Sequence, residues 1–204
     1  MKVELHLHTS RYSACAACKP EEILEWAQRD GYQCVYITEH DAIWTPLELA
    51  DMRARFPALR IFGGVELSLH GAHLLVLGAT DPWYTQTKDT AEILARARSD
   101  GHLTVLAHPF RWDGGDWPLQ KGLLPDALEL RTNNQDARAG KKARQAAKRL
   151  HLPLVNCGDT HSRSMLGKFW IQTDDDLEAA ADIRRIILEG RYRNVAAEGD
   201  NDEQ

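Results

Sequence analysis

The chain has 204 residues, of which 43% are hydrophobic and 27% are charged, as is typical of a folded globular protein. No apolar run approaches the roughly 20 residues needed to span a bilayer, and the first residues lack a signal-peptide core, so we expect a cytoplasmic protein without a membrane partner. The formal net charge of −5 disfavours a nucleic-acid-binding surface, and four cysteines are too few for a disulfide scaffold.

Short apolar runs alternate with longer amphipathic stretches along most of the chain. The predicted strands are residues 3–7, 34–38, 60–67, 73–77, 103–107, 127–130, 153–157 and 168–172. The predicted helices are residues 20–31, 46–55, 87–100, 136–150 and 177–189. Strands that alternate with helical crossovers of this length predict a mainly parallel sheet.

The number of these units favours a closed sheet over an open one. We therefore predict an α/β fold, a distorted parallel (β/α)7-type TIM-like barrel, in a single domain over residues 1–194. The polar segment 195–204 is expected to fray. Residues 111–125 are rich in Gly, Pro and Trp and form a long loop, whose tryptophans either cover a substrate or pack on the barrel rim.

Histidines and acids recur where predicted strands end. His6 and His8 lie two residues apart on the first strand, so both rings point to the same side. The further members of the series are His40, Glu66, His73, His108, Asp159 and His161. In a parallel barrel all C-terminal strand ends lie on one face, where active sites are built. Mixed imidazole and carboxylate ligands suit zinc, iron or manganese, so the sequence predicts a metal cluster on that face.

Some positions fit the series less well. His73 opens a predicted strand instead of following one. Glu129 lies inside a strand, where it is either a buried partner of the site or a surface residue. The remaining histidines, His70, His102 and His151, lie at turns and junctions, and we assign them no role.

Five ordered motifs resemble those of the PHP (polymerase and histidinol phosphatase) family. They are His6-x-His8, Glu39-His40-Asp41, Gly64-Val-Glu66, His108-Pro109 and Asp159-x-His161. The resemblance extends over nearly the whole chain. It implies a distorted barrel that binds two or three divalent metal ions (Zn, Mn or Fe) and hydrolyses phosphoesters, with phosphate oxygens and a hydroxide held by the metals.

The resemblance also implies ligand sets. These are His6, His8, Glu66 and Asp159 for the first metal, Glu66, His73 and His108 for the second, and His40 and His161 for a third. Family members commonly supply another Asp or His five or six residues after the second His, where this chain has Ser13 and Ala14. We therefore expect two metals to bind fully and the third weakly or not at all. Cys15 and Cys18, just beyond this gap, are treated as small loop residues.

A small phosphorylated metabolite or nucleotide is the expected substrate, as a phosphomonoester. Arg11 and Lys168 are candidates to hold its phosphate, although exposed cations are most often only solvated. His161 or His40 is expected to protonate the leaving group if the third metal is absent. The sequence indicates no oligomeric state.

Three other functions stay open. A nuclease is favoured by the basic residues within segment 131–149 and disfavoured by the acidic net charge, so no nucleic-acid partner is expected. An amidohydrolase-like enzyme that cleaves C–N bonds can also begin with His-x-His, but no strand-end Lys is present. A non-catalytic metal-binding domain is expected to lose ligands that this chain retains.

Overall fold

One mixed sheet of nine strands forms the centre of the protein in a computed structural model, which describes residues 1–197. The strands are β1 (Lys2–Leu7), β2 (Cys34–Ile37), β3 (Arg60–Leu69), β4 (Ala72–Leu77), β5 (Leu103–Ala107), β6 (Ala127–Arg131), β7 (Leu154–Asn156), β8 (Phe169–Gln172) and β9 (Arg193–Ala196). Their spatial order is β7-β6-β5-β4-β3-β2-β1-β8-β9. Because β8 and β9 also contact β7, the sheet is a nearly closed barrel.

Six α-helices of the described part of the chain accompany the sheet. They are α1 (Pro20–Arg29), α2 (Pro46–Arg55), α3 (Thr90–Ser99), α4 (Trp117–Gln120), α5 (Ala137–Leu150) and α6 (Asp182–Leu188). Proline occupies the first turn of α1 and α2, and the Asp136 carboxylate caps α5 by accepting a hydrogen bond from the Ala139 N–H at 2.7 Å. The longest helix, α5, has 14 residues, and no helix within residues 1–197 is long and apolar enough to cross a membrane.

The predicted α/β barrel is confirmed, and each predicted strand and helix has a counterpart in the structure. The sheet is less parallel than the sequence suggested, because four of its pairings are antiparallel: β3 with β4, β4 with β5, β1 with β8 and β8 with β9. For the pairing of β3 with β4, the reason is a short connection. His70 and Gly71 both have left-handed backbone angles and form a tight turn between β3 and β4, too short for the crossover that parallel strands require.

The reversal at this hairpin determines the position of His73. Because β4 runs against β3, the first residues of β4 lie beside the last residues of β3, and His73 pairs with Ser68. On its other side His73 pairs with Ala107 at the end of β5. A histidine that opens its strand therefore lies at the same edge of the sheet as residues that follow theirs.

Strand β9 extends past the predicted C-terminal boundary of the domain. The domain was predicted to end at residue 194, but β9 continues to Ala196 and pairs with β8. The Asn194 side chain also joins β9 to β7, because its Oδ1 accepts a hydrogen bond from the Asn156 N–H at 2.6 Å and its Nδ2 donates to the Leu154 carbonyl at 2.8 Å. This short, exposed strand lacks the apolar alternation that identifies strands in a sequence. The rest of the predicted tail, 198–204, lies outside the described residues.

Strand β1 carries both core residues and residues of the polar interior. Val3 and Leu5 are fully buried in one apolar cluster of the core, and Leu7 is fully buried in another. The pairing of β1 with β2 shifts register between Glu4 and Leu7, so strict alternation does not continue along the strand. Glu4 and His6 are also fully buried, and their side chains bond to polar groups.

Candidate metal centre

A fully buried carboxylate, that of Glu66 at the middle of β3, lies at the centre of the cluster. Five imidazole nitrogens lie within 3.1 Å of its two oxygens, from His6, His8, His40, His73 and His108. Oε2 faces Nε2 of His6 and His8 and Nδ1 of His40, whereas Oε1 faces Nδ1 of His73 and Nε2 of His108. One carboxylate therefore joins two groups of imidazoles.

A second buried carboxylate, Asp159, closes the cluster from the loop after β7. Its Oδ1 lies 3.4 Å from His6 Nε2 and 3.4 Å from His161 Nδ1. The left-handed backbone at Asp159, with φ of 47°, turns the side chain into the site. The Asn134 amide, which belongs to none of the sequence motifs, donates a hydrogen bond to Asp159 Oδ2 at 2.7 Å and holds the carboxylate in place.

All eight predicted ligands thus lie in one cluster, and three overlapping groups within it have the spacing needed to hold a metal ion. They are His6, His8, Glu66 and Asp159; His40, Glu66 and His73; and His8, His40 and His161. Within each group the ligand atoms lie within 4.8 Å of one another.

The unpaired atoms of the cluster fit a divalent cation. Glu66 Oε2 and Asp159 Oδ1 are buried and have no hydrogen-bond partner, which is rare for buried polar atoms. Nε2 of His6 and Nε2 of His8 lie 2.9 Å apart and converge on the same space. Convergent imidazole nitrogens beside unpaired carboxylate oxygens are the ligand set of zinc, iron and manganese, so the cluster indicates metal binding.

The pKa shifts of the buried groups in the cluster also fit a divalent cation. Burial alone would raise the pKa of Glu66, but the charge of His6 and the adjacent rings of His108 and His40 lower this pKa well below its usual value. Burial opposes a charge on His6 as well, yet Asp159 and Glu66 raise the pKa of its ring well above the ordinary value. The carboxylates therefore need nearby positive charge, and a divalent cation can take the place of the ring protons.

A buried acid behind the cluster orients two of its histidines. Glu129 Oε1 accepts a hydrogen bond from His6 Nδ1 at 2.7 Å, and its Oε2 accepts one from the His108 N–H at 2.7 Å. Glu129 is fully buried, which decides between the two positions that its strand location left open. Because His6 donates its Nδ1 proton in a hydrogen bond to Glu129, the lone pair of its Nε2 faces the cluster.

A second buried acid, Glu4, supports the backbone of the site. Its Oε1 accepts hydrogen bonds from the Gly158 N–H at 2.7 Å and from the His6 N–H at 3.1 Å. Burial raises the pKa of Glu4 to about 7, although these hydrogen bonds oppose the rise. Gly158 lies so close that an added Cβ would overlap the Glu4 carboxylate and the Thr160 hydroxyl.

Ser13, at the position of the predicted missing ligand, supports two histidines. Its hydroxyl donates to Glu39 Oε2 at 2.6 Å, lies 3.2 Å from His8 Nδ1 and accepts from the His40 N–H at 3.1 Å. The nearby metal-spaced group of His8, His40 and His161 consists of imidazoles alone. Burial and the nearby His8 lower the pKa of His161 to about 4, so this ring is neutral near neutral pH.

An open cleft of about 560 Å³ leads to the cluster. Its lining includes His40, His73, His108, Asp159 and His161, together with Cys15, Asn134, Arg111 and Trp112. Trp112 packs against His73 and His108, with ring centroids 5.3 and 5.1 Å apart, and its indole N–H donates to the Gly71 carbonyl. The loop after β5 is thereby tied to the β3–β4 turn and forms one wall of the cleft.

The two cations proposed for phosphate do not line this cleft. Arg11 instead donates from Nε to Glu48 Oε1 at 2.8 Å and lies over the Tyr12 and Trp44 rings. Lys168 is exposed immediately before β8. Arg111 lines the cleft instead, although its sequence indicated only a loop. Its position three residues after His108 is the signal that could have identified it.

The two loop cysteines have different surroundings. Cys15 is exposed and lines the cleft, whereas Cys18 is buried in an apolar core cluster with α1. Both are free thiols, and neither belongs to a metal-spaced group of the described residues.

Comparison with known proteins gives one family and several related folds. The family model described as PHP-associated matches residues 137–192. Error-prone DNA polymerases of Mycobacterium bovis and Mycobacterium tuberculosis are 31% identical to this chain over 111 residues, which is 49% of this chain and 9% of each polymerase. The chain therefore corresponds to a small part of these relatives.

Solved structures share the fold at low sequence identity. A two-domain protein from Bacteroides vulgatus, containing a predicted PHP-like metal-dependent phosphoesterase, has a TM-score of 0.74 at 16% identity, over 97% of this chain and 65% of that one. An amidohydrolase from Chromobacterium violaceum, with bound SO4 and no metal, has a TM-score of 0.66 at 15% identity, over 98% and 100%. PsfC from Pseudomonas syringae has a TM-score of 0.66 at 17% identity, over 97% and 91%.

The chain is thus an α/β barrel that shares its fold with a protein containing a predicted PHP-like metal-dependent phosphoesterase, and its candidate metal centre lies at one end of the sheet. The PHP-associated model matches about a quarter of the chain, and the shared barrel agrees with the fold expected from the motif resemblance.

The close approach of Gly158 to Glu4 generates a stability prediction. Gly158→Ala places a methyl group against a buried carboxylate and is expected to lower the free energy of unfolding by roughly 3 kcal/mol, through overpacking and loss of the Glu4 hydrogen bonds. Gly190→Ala, at a strained φ of 69° but in open space, is the control and should cost about 1 kcal/mol. Urea denaturation followed by circular dichroism measures both, and equal losses would contradict the proposed close packing.

Proposed function

We propose that the protein is a metal-dependent phosphoesterase that hydrolyses a phosphomonoester of a small metabolite or nucleotide. The observation that carries this proposal is the buried Glu66 carboxylate with five imidazole nitrogens within 3.1 Å. A carboxylate with ligand groups on both of its oxygens is suited to bridge two cations. Zinc, manganese or iron ions bound there supply Lewis acidity, which activates water and neutralises charge on a phosphoryl group.

The side chains divide between two proposed cations. His6, His8, Glu66 and Asp159 would hold the first, since their ligand atoms have metal spacing. His73 and His108 would hold the second together with Glu66, whose Oε1 both rings approach within 3.1 Å. Glu129 fixes the tautomer of His6 through its Nδ1, and Ser13 does the same for His8. Both rings are thereby oriented before any cation arrives, which lowers the cost of binding.

A third cation has weaker support from the described residues. His8, His40 and His161 have suitable spacing, but His8 is shared with the first group, and Ser13 and Ala14 supply no carboxylate. We therefore retain two full sites and a weak third one, with imidazole ligands only.

Proton transfer to the leaving group falls to His40. A ring with a pKa of about 4, such as His161, carries no proton to donate near neutral pH, so His161 is suited to bind a cation or accept a proton. His40 is partly exposed, with 30% of its side chain accessible, and lines the cleft beside Glu66. It can thus reach both substrate and solvent.

The side of the cleft formed by the loop after β5 is the proposed substrate-binding surface. Arg111 is a cation at the cleft, and its guanidinium lies over the Trp112 ring at 4.9 Å. Arginine recognises phosphate through paired N–H donors, and the aromatic ring beside it offers an apolar surface to the remainder of the substrate. The cleft volume of about 560 Å³ suits a ligand of small-metabolite or nucleotide size.

A screen of phosphorylated metabolites and nucleotides, with Mn, Fe, Zn and Mg supplied separately, tests the proposal. We expect metal-dependent release of inorganic phosphate from at least one phosphomonoester. A short oligonucleotide and an amide substrate belong in the same screen, because relatives in sequence are polymerases and one similar structure is an amidohydrolase. Cleavage of either one without any phosphomonoester turnover would replace the proposal by that activity.

Replacing Asp159 tests the first cation. Asp159→Asn keeps the shape and tolerates the left-handed backbone, but it removes a charged ligand, so kcat should fall at least about 100-fold and bound metal should decrease. The control is His151→Asn, an exposed histidine with φ of 55° outside the cluster. Elemental analysis and phosphate release measure the two effects, and full activity in Asp159→Asn would contradict the assignment.

Replacing Glu129 tests the support behind the ligands. Glu129→Gln keeps the size but cannot accept hydrogen bonds from both His6 Nδ1 and the His108 N–H, so metal affinity should fall about 10- to 100-fold. Titration of the metal against a fluorescent chelator measures the affinity, and thermal unfolding checks that the variant is folded. A folded variant with unchanged affinity would remove Glu129 from the proposed site.

Replacing Arg111 tests substrate binding. Arg111→Gln should raise KM about tenfold with little change in kcat, because a phosphate contact made in both ground and transition states mainly affects binding. Arg98→Gln, an exposed arginine of α3 that does not line the cleft, is the matched control. Steady-state kinetics on the best substrate of the screen decide, and an unchanged KM would exclude Arg111 from phosphate binding.

A further inference from the structure

The exposed face of α5 carries an unusual concentration of positive charge. Within its 14 residues are six basic side chains and no acid, namely Arg138, Lys141, Lys142, Arg144, Lys148 and Arg149. All six are exposed, and none has a side-chain ion pair or hydrogen bond within residues 1–197. We refer to these six side chains as the basic face of α5. It belongs to a chain whose formal net charge is −5.

Helix stability does not account for this arrangement. Arg138 and Lys141 lie in the first turns of α5, where positive charge is unfavourable to the helix dipole. Arg144 and Lys148 are four residues apart, and like charges at this spacing destabilise a helix. The opposite face of α5 is already covered, because small buried residues such as Ala143 and Ala147 pack against the barrel. A partner that supplies negative charge would relieve the repulsion.

The position of the basic face relates it to the cleft. Asn134, which lines the cleft and donates to Asp159, lies three residues before the first residue of α5. From Arg138 to Arg149 the helix extends about 16 Å, at 1.5 Å per residue. A linear polyanion with one end at the cleft can therefore continue along the helix.

We propose that the basic face of α5 binds the phosphodiester backbone of a single-stranded nucleic acid. Repeated phosphates match a row of cations, and such contacts require no particular base sequence. An anionic membrane fits less well, because peripheral helices insert apolar side chains, and the exposed large hydrophobic residues of the described chain, Tyr12, Leu47, Trp112 and Leu188, all lie outside α5. The inference concerns binding and holds whether or not the cleft hydrolyses the strand.

Fluorescence anisotropy tests the proposal with the full chain and a labelled single-stranded oligonucleotide of about 20 nucleotides, from about 50 to about 200 mM salt. Binding should weaken steeply with salt. The triple variant Lys141→Gln, Arg144→Gln, Lys148→Gln should raise Kd at least about tenfold at the lowest salt. It should also reduce the slope of log Kd against log salt by about 2, because each phosphate that the protein neutralises adds about 0.7 to this slope.

Two matched variants separate this surface from charge in general. Arg98→Gln, Lys121→Gln, Arg193→Gln removes three other exposed cations and should leave Kd within about twofold of the parent chain. Lys141→Arg, Lys148→Arg keeps the charges of α5 and should bind as the parent does. Circular dichroism establishes that each variant is folded, which the exposure of all substituted positions favours.

The proposal is overturned by any of four results. These are no salt-dependent binding, an equal loss in the control triple variant, tighter binding to phosphatidylserine vesicles than to the oligonucleotide, or equal competition by polyglutamate at the same charge concentration. Because the readout is binding alone, inactivity in the phosphoester screen does not affect it, and a failure here leaves the proposed hydrolase intact.

Discussion

The structure depends on a buried carboxylate that requires positive charge beside it. Glu66 is inaccessible to solvent, and taking an ionised carboxylate out of water costs several kcal/mol unless positive charge compensates for it. The described structure supplies imidazoles around it. Imidazoles can carry protons or give up their lone pairs to a cation, so the same cluster is balanced in either form. The site thereby couples its own stability to what it binds.

The residues behind the cluster determine the orientation of the side chains within it. Glu129 and Ser13 act on ring nitrogens that face away from the cluster and so determine which nitrogens face into it. Glu4 acts on the backbone, joining the strand that carries His6 to the loop that carries Asp159. The cluster is therefore assembled from distant parts of the sequence that meet through buried acids. Loss of one such acid would loosen several ligands together.

The sequence predicted the positions of the site residues on the strands better than the strand directions and the loop contacts. Period-two spacing and strand-end positions were sufficient to predict which histidines and acids lie together, because a barrel directs its strand ends to one face. The antiparallel pairings were missed, since the alternation of strands and helices does not give strand direction, although Gly71 indicated a turn between β3 and β4. Arg11 was proposed from its nearness to His8 in the sequence, but pairing with Glu48 draws it aside. Arg111 and Asn134 reach the cleft through loop conformations, which residue spacing alone does not determine.

The hairpin between β3 and β4 also makes the site sensitive to strand register. Glu66 and His73 lie on opposite arms of this hairpin, and both must face the cluster. Because successive residues of a strand point to opposite faces, a shift of β4 by a single residue would turn His73 away and place Ala72 or Leu74 at its position. Length changes in this turn are therefore expected to be tolerated in pairs of residues far better than singly, an even-number rule that follows from strand geometry and not from the chemistry of the metal site.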